Sequence, residues 1–176
     1  MEEIKKDKVN EQGEKGGRRR SGRPRQRRER EQSEFDVRNL EVSRVARVTS
    51  GGKRMRFRVL VVIGDRNGRV GYGLAKGADV SLAVNKATAA AKKNLIHVKI
   101  TTGTIPHAIT AKYKAAMVLL KPAPDGTGII AGGAVRPVLE LVGIKNVVSK
   151  SLGSSNKANN VKVTFKALRQ LINKKS

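Results

Sequence analysis

An α+β protein of two small units behind a basic extension is what the sequence predicts, and three observations carry that expectation. Apolar residues recur at every second position from Met55 to Ile63, a strand period. A helical period replaces it from Asp79 to Ile96, and further strand and helix signals follow in a second stretch. The first 34 residues show neither period and are dense in charge.

That leader, residues 1–34, has too little apolar surface to offset the entropy of ordering and is expected to be disordered. Its stretch from Gly16 to Arg30 holds eight Arg and one Glu. This suits an arm laid on phosphates, or alternatively a solvated tail or localisation tract. Order is expected from Phe35, with Leu40, Val42, Ala46 and Val48 marking a first strand whose apolar face Arg44 interrupts. Ser50-Gly51-Gly52-Lys53-Arg54 supplies a turn. Met55, Phe57, Val59, Val61 and Ile63 then define a half-buried strand, with Arg56 and Arg58 pointing the other way. Asn67-Gly68 reads as a hairpin turn, since both residues tolerate positive φ, and Val70, Tyr72 and Leu74 begin the return.

The helix over Asp79–Ile96 groups Val80, Val84, Ala87, Ala91 and Leu95 on one face beside Ala83 and Ala90, with Asp79 as N-cap. Residues 35–98 thus form a first unit of three antiparallel strands and a covering helix. In a second unit, residues 99–176, His97–Thr101 begins a short strand and Lys112–Lys121 forms a buried one. A loop from Asp125 through Ile129-Ile130 reaches Gly133. A helix over Ala134–Val142 buries Val135, Val138, Leu139 and Val142 and takes Pro137 within its first turn. Asn146–Leu152 is strand-like, and the final helix, Lys157–Asn173, buries Val161, Phe165, Leu168 and Ile172.

Charge sets the partner class. The chain has 38 Lys and Arg against 14 acids, a net charge of +24. The leader contributes only +4 of this, and just Asp65, Asp79 and Asp125 are acidic between Glu41 and Glu140. A folded body with so much like charge repels itself unless a polyanion is near, and nucleic acid gains by releasing its condensed cations. Few aromatic residues argue for recognition of RNA backbone and shape rather than stacking of unpaired bases.

Other classes fall away. The chain has no Cys, so neither disulfides nor thiolate metal sites are expected, and a reducing cytoplasm is compatible. Its longest apolar runs are far below the roughly 18 residues of a membrane span. Met1–Lys6 contains no hydrophobic region, so no secretory signal is expected there. Gly71-Tyr72-Gly73-Leu74-Ala75-Lys76-Gly77 invites a dinucleotide reading, but it returns from a hairpin and lacks the downstream acid. Small residues there instead let the backbone bend, or let it approach RNA closely. Gly126–Gly133 lacks the Lys and hydroxyl of a P-loop. It either binds an RNA phosphate with Arg136 assisting, or packs on a protein neighbour. His97 and His107 have no carboxylate at motif spacing, and no catalytic group, cofactor or metal is expected.

The strongest candidate site is the basic set Arg44, Arg47, Lys53, Arg54, Arg56, Arg58, Arg66 and Arg69, placed on loops and the polar face of a short sheet. Two further residues, Asn67 and Lys76, join the expected RNA-binding set.

These same residues carry a resemblance. Gly51-Gly52-Lys53-Arg54 with Arg56-Phe57, Val62-Ile63-Gly64-Asp65, Asn67–Gly73 and Lys76 resemble the first half of the bacterial small-subunit ribosomal protein five family. Leu120–Ala123, Gly126–Gly133, Val138-Leu139-Glu140 and Gly153-Ser154 continue the likeness, which covers about residues 40–175 in order. It implies a double-stranded-RNA-binding-like first domain and a second α+β domain with a left-handed βαβ crossover. It also implies a cytoplasmic, non-enzymatic constituent of the small subunit that binds 16S rRNA between head and body. The neighbours implied are ribosomal proteins four and eight. The family's loop matching Val45, Ala46 and Arg47 lies near the spectinomycin site. Its segment matching Gly128 and Arg136 faces ribosomal protein four and bears on decoding accuracy, which favours protein contact for Gly126–Gly133. Ala46-Arg47 stands where Ser-Lys is common, so no drug response is carried over. Tyr113-Lys114-Ala115-Ala116 stands where the family's turn is usually richer in Gly, Asn156–Asn159 lacks the Asn-Pro common before the last helix, and the leader is variable in the family, so nothing is carried over to it.

Overall fold

Two extended strands joined by a tight turn set the first sheet. In the computed structural model, which describes residues 34–98, 100 and 103–173, β1 (Asp36–Thr49) and β2 (Gly52–Gly64) pair antiparallel across Ser50-Gly51. The basic leader, Lys99 and Thr101 lie outside the described residues, as does the side chain of Ile172. β3 (Arg69–Gly77) pairs with β2, and a short edge strand β4 (Ile96–His97) pairs with β3, giving the order β1-β2-β3-β4. The strand expected to start the second unit at His97 is therefore the fourth strand of the first sheet. Its cause is the end of the preceding helix at Lys93, which returns Ile96 to Val70.

A bulge between Asn39 and Glu41 shifts the register of β1, leaving Leu40 without a direct partner and packed against the main core. Beyond it the expected apolar face stays outside: Val42 is 49% and Val48 71% exposed. Val48 lies where β3 has ended opposite Phe57 and β1 and β2 run on as a two-stranded ribbon, while Val42, opposite Val59, stands on the edge strand of the three-stranded part. Val45, Ala46 and Arg47 accordingly sit within β1, not in a loop. Further in, Val59 to Ile63 are buried on both faces rather than one. Val59, Val61 and Ile63 meet the first helix, while Leu60 and Val62 join the core beneath. A run of five consecutive apolar residues carries that signature.

The Asn67-Gly68 turn forms, but positive φ falls on Arg66 (57°) and Gly68 (92°) rather than on Asn67. Asp65 holds it, its Oδ1 accepting from the backbone N–H of Asn67 at 2.8 Å and of Arg69 at 3.0 Å.

Helix α1 (Val80–Lys93) buries Ala83, Ala87 and Ala91, whereas Val80 and Leu95 are each 36% exposed. The helix is turned towards its small residues because Gly71, Gly73 and Gly77 of β3 admit it closely. A Cβ on Gly73 would lie 1.9 Å from the Ala87 carbonyl oxygen, and one on Gly71 2.4 Å from that of Ala91. Those glycines therefore serve helix–strand packing. Asp79 occupies the N-cap without a side-chain hydrogen bond.

The second sheet has the order β5-β6-β8-β7. Residues 112–121, expected as one strand, instead span a hairpin: β5 (Ile109–Tyr113) turns through Lys114, at φ 53°, into β6 (Ala116–Pro122). Ile129-Ile130, expected in a loop, form the short strand β7, parallel to β8 (Val147–Leu152). Between them α2 (Arg136–Val142) starts two residues later than expected, with Pro137 in its first turn. The last helix, α3 (Lys157–Asn173), matches its expected span and is capped by Asn156 Oδ1, which accepts from the N–H of Ala158 and Asn159.

The described residues form one compact unit. One buried cluster runs from Leu60, Val62 and Val70 of the first sheet through α2 to Val118, Leu120, Val161 and Phe165. Tyr72 meets Phe165 edge-on at 4.7 Å between ring centroids, joining β3 to α3.

Candidate nucleic-acid interface

Paired residues of an antiparallel sheet point to the same side, so the register assigns every basic side chain to a face. Arg54 pairs with Arg47, Arg56 with Val45, and Arg58 with Ser43 on one flank and Lys76 on the other. Arg47, Arg54, Arg56, Arg58 and Lys76 thus share the sheet face opposite α1. All are exposed except Arg58, which is half-buried. The strand ends Val45–Thr49 and Gly52–Arg56, five residues each, have no third strand beside them and leave Arg47, Arg54 and Arg56 free to reach outward. Around them lies a concavity of about 810 Å³ lined by Val45, Arg47, Thr49, Arg54, Arg56 and Lys76, among others.

Like charges directly opposite each other destabilise a sheet. Both Arg47–Arg54 and Arg58–Lys76 are such pairs. One acid answers them: Glu41 Oε1 lies 3.8 Å from Arg58 and also accepts from Ser43 Oγ at 3.0 Å. The Arg forks have the geometry to bind phosphate oxygens in pairs.

The remaining expected residues lie elsewhere. Arg44 and Lys53 pair with Phe57 and Val48 and so point to the other side of the same ribbon. Arg66, Asn67 and Arg69 sit at the far end of β2, roughly 30–40 Å along the strand by its rise per residue. There Arg66 holds Asp36 at 2.8 Å, while Arg69 Nε donates to Asp65 Oδ2 at 2.6 Å and its guanidinium stacks over Phe35 at 5.2 Å. The Arg66 N–H donates to the Leu141 carbonyl and that of Gly68 to the Val142 carbonyl, tying this turn to the end of α2. Burial would raise the Asp65 pKa, but the Arg69 side-chain hydrogen bond, two backbone N–H groups and the Arg69 charge outweigh it and hold the carboxyl below its ordinary value.

In the second half, Gly128 (φ 72°) ends the loop before β7, and Arg136 opens α2 beyond that strand. Asn146 organises the loop from Asp125 to Gly128: its Oδ1 accepts from the Gly128 N–H at 3.1 Å and its Nδ2 donates to Asp125 Oδ1 at 2.9 Å. Arg136 Nε reaches Glu140 Oε1 at 3.0 Å. Nothing in the sequence marks Asn146, which acts across 18 and 21 residues. The Arg47–Arg54 pair was open to discovery, since both lie three residues from the Ser50-Gly51 turn.

Among the described residues, no group of three or more His, Asp or Glu is placed to hold a metal ion, and no helix is long and apolar enough to cross a membrane. The fold and site together define a strongly basic α+β protein with an arginine-faced sheet ribbon. The family model described as the N-terminal domain of ribosomal protein S5 matches residues 35–99, and that of the C-terminal domain of ribosomal protein S5 matches 111–175. The small ribosomal subunit protein uS5 of Thermotoga neapolitana is 48% identical over 145 residues, covering 82% of each chain. That of Protochlamydia amoebophila is 47% identical over 149 residues, 85% of this chain and 89% of its own. The chain belongs to the ribosomal protein S5 family.

Proposed function

We propose that this chain is a non-catalytic structural constituent of the small ribosomal subunit, gripping 16S rRNA with the arginine face of its first sheet. The observation that carries this reading is the uncompensated cross-strand pair Arg47–Arg54 on an exposed ribbon. Residues 35–98 act as the RNA-binding domain, and 99–176 as the domain that contacts protein neighbours. Arg66 and Arg69 contribute by stiffening the β2–β3 turn while their remaining donors face rRNA, with Asn67 beside them. The ribbon segment Val45–Arg47 lies near the spectinomycin site.

Its second domain meets ribosomal protein four through the segment of Gly128 and Arg136, and ribosomal protein eight is a further neighbour. A rigid body that touches both head and body of the subunit biases their relative orientation, and through it decoding accuracy. The shared core, with Tyr72 against Phe165, supplies the rigidity.

Sedimentation tests the reading. The full chain is expected to remain with small subunits through a high-salt wash and to be released by RNase. A chain found apart from subunits and indifferent to RNase refutes it, whereas equal affinity for any isolated duplex favours a free-standing double-stranded-RNA-binding regulator.

A further inference from the structure

The second sheet leaves one face in solvent, and on it aliphatic side chains alternate with lysines and Thr110. Register places Met117, Leu119 and Lys121 of β6 on the side opposite the buried Val118 and Leu120. Lys112 stands beside Met117, with Leu152 on its other flank. Lys150 stands beside Leu119, and Val148 between Lys121 and Ile130. Helix α3 packs on the other side, with Val161 and Phe165 in one cluster with Ala111, Val118 and Leu120. An antiparallel sheet with one wet face ordinarily turns polar residues outward. Here Ile130 is 54%, Leu152 38% and Val148 37% exposed, with Met117 and Leu119 half-buried between them.

The chemistry differs from that of the arginine face. Aliphatic side chains give bases nothing to stack on, and the cations among them are lysines without the bidentate fork of arginine. Neither acid of residues 103–173 lies on the face: Asp125 is held by Asn146, and Glu140 sits on α2. The Arg-rich stretch of the chain's own leader, like-charged, is a poor occupant.

The geometry points to a second interaction surface, formed by the open face of β5-β6-β8-β7, that docks a protein partner presenting apolar side chains interspersed with carboxylates. It rests on the proposed place of the chain in the small subunit, and it assigns to protein contact a face distinct from the segment of Gly128 and Arg136.

The absence of Cys makes the test direct. Full-length Val148→Cys and Leu152→Cys variants are reacted with a maleimide, free and after incorporation into small subunits. Thiol modification is expected to slow about tenfold or more on incorporation, as at a water-excluding interface. A short diazirine attached at the same thiol is expected to crosslink to another protein, at a peptide containing both apolar residues and Asp or Glu. Lys150→Glu is expected to lower that crosslink yield several-fold, and Lys150→Arg to preserve it. Unchanged reactivity in subunits overturns the inference, as does a crosslink solely to RNA or to residues 1–33 of the chain itself. Failure of the wild-type chain to enter subunits overturns the ribosomal reading as well, whereas entry with an open face overturns this inference alone.

Discussion

Arg47 and Arg54 are direct cross-strand partners at the exposed end of the β1–β2 ribbon, with no acid on either strand beyond Glu41. Their repulsion is a standing cost to the free protein. Arg47→Glu turns the pair into an opposite-charge one and is expected to stabilise the fold by about 0.2–1 kcal/mol. RNA affinity should fall in the same variant. Denaturant midpoints and filter binding on one preparation check both, and a parallel loss of stability and affinity counts against the polyanion role.

Charge reversal separates the arginine face from the segment of Gly128 and Arg136. Arg54→Glu with Arg56→Glu should lower rRNA affinity about tenfold or more at low salt and make the log–log salt slope shallower by roughly 1–2. Arg136→Glu, on α2, should leave that slope unchanged and show its effect in misreading or assembly assays. Equal slopes in all three proteins would remove the division of labour.

Two glycines with different surroundings should respond differently. Gly73→Ala drives a methyl into the Ala87 carbonyl and should cost roughly 3 kcal/mol, read as a lowered denaturant midpoint. At Gly128 nothing lies within 4 Å of the added Cβ and only the positive φ opposes it, so Gly128→Ala should cost about 1 kcal/mol. A large loss at Gly128 alone would show the loop to be packed more tightly than described.

Phe165→Ala should destabilise both sheets together. The ring is 2% exposed and meets Tyr72 across the shared core, so a loss of about 3–5 kcal/mol is expected. Probes placed in the first and second sheets should report one common transition. Two separated transitions would show that the sheets unfold independently.

Asp65 couples stability to pH. Its native pKa lies below that of the unfolded chain, so it contributes stability in full above about pH 4 and loses it as pH falls through the native value. Asp65→Asn should flatten the acid limb of the stability profile relative to wild type. An unchanged acid limb would show the Asp65–Arg69 contact to be energetically silent.

Local chemistry made much of this protein legible without coordinates. Period-two and helical patterns located β2, α1, α2 and α3, because burial of one face imposes them. The charge imbalance and the spacing of arginines about Ser50-Gly51 pointed to the basic face. The two shortest strands escape a local reading because their environment comes from distant chain. β4 and β7 are two residues each and exist only through pairing with β3 and β8. The β5–β6 hairpin turns at Lys114, a residue carrying no turn signature.

Sequence alone therefore determined where β2 and the three helices fall and what sign of partner the chain attracts, since these follow from composition and period. Tertiary structure alone decided which arginines stand together and which are bound to Asp36 and Asp65, because register and a single bulge set the direction of every side chain. It also decided that glycines of β3 admit a helix, and that the face of the second sheet where aliphatic residues alternate with lysines stays open to water.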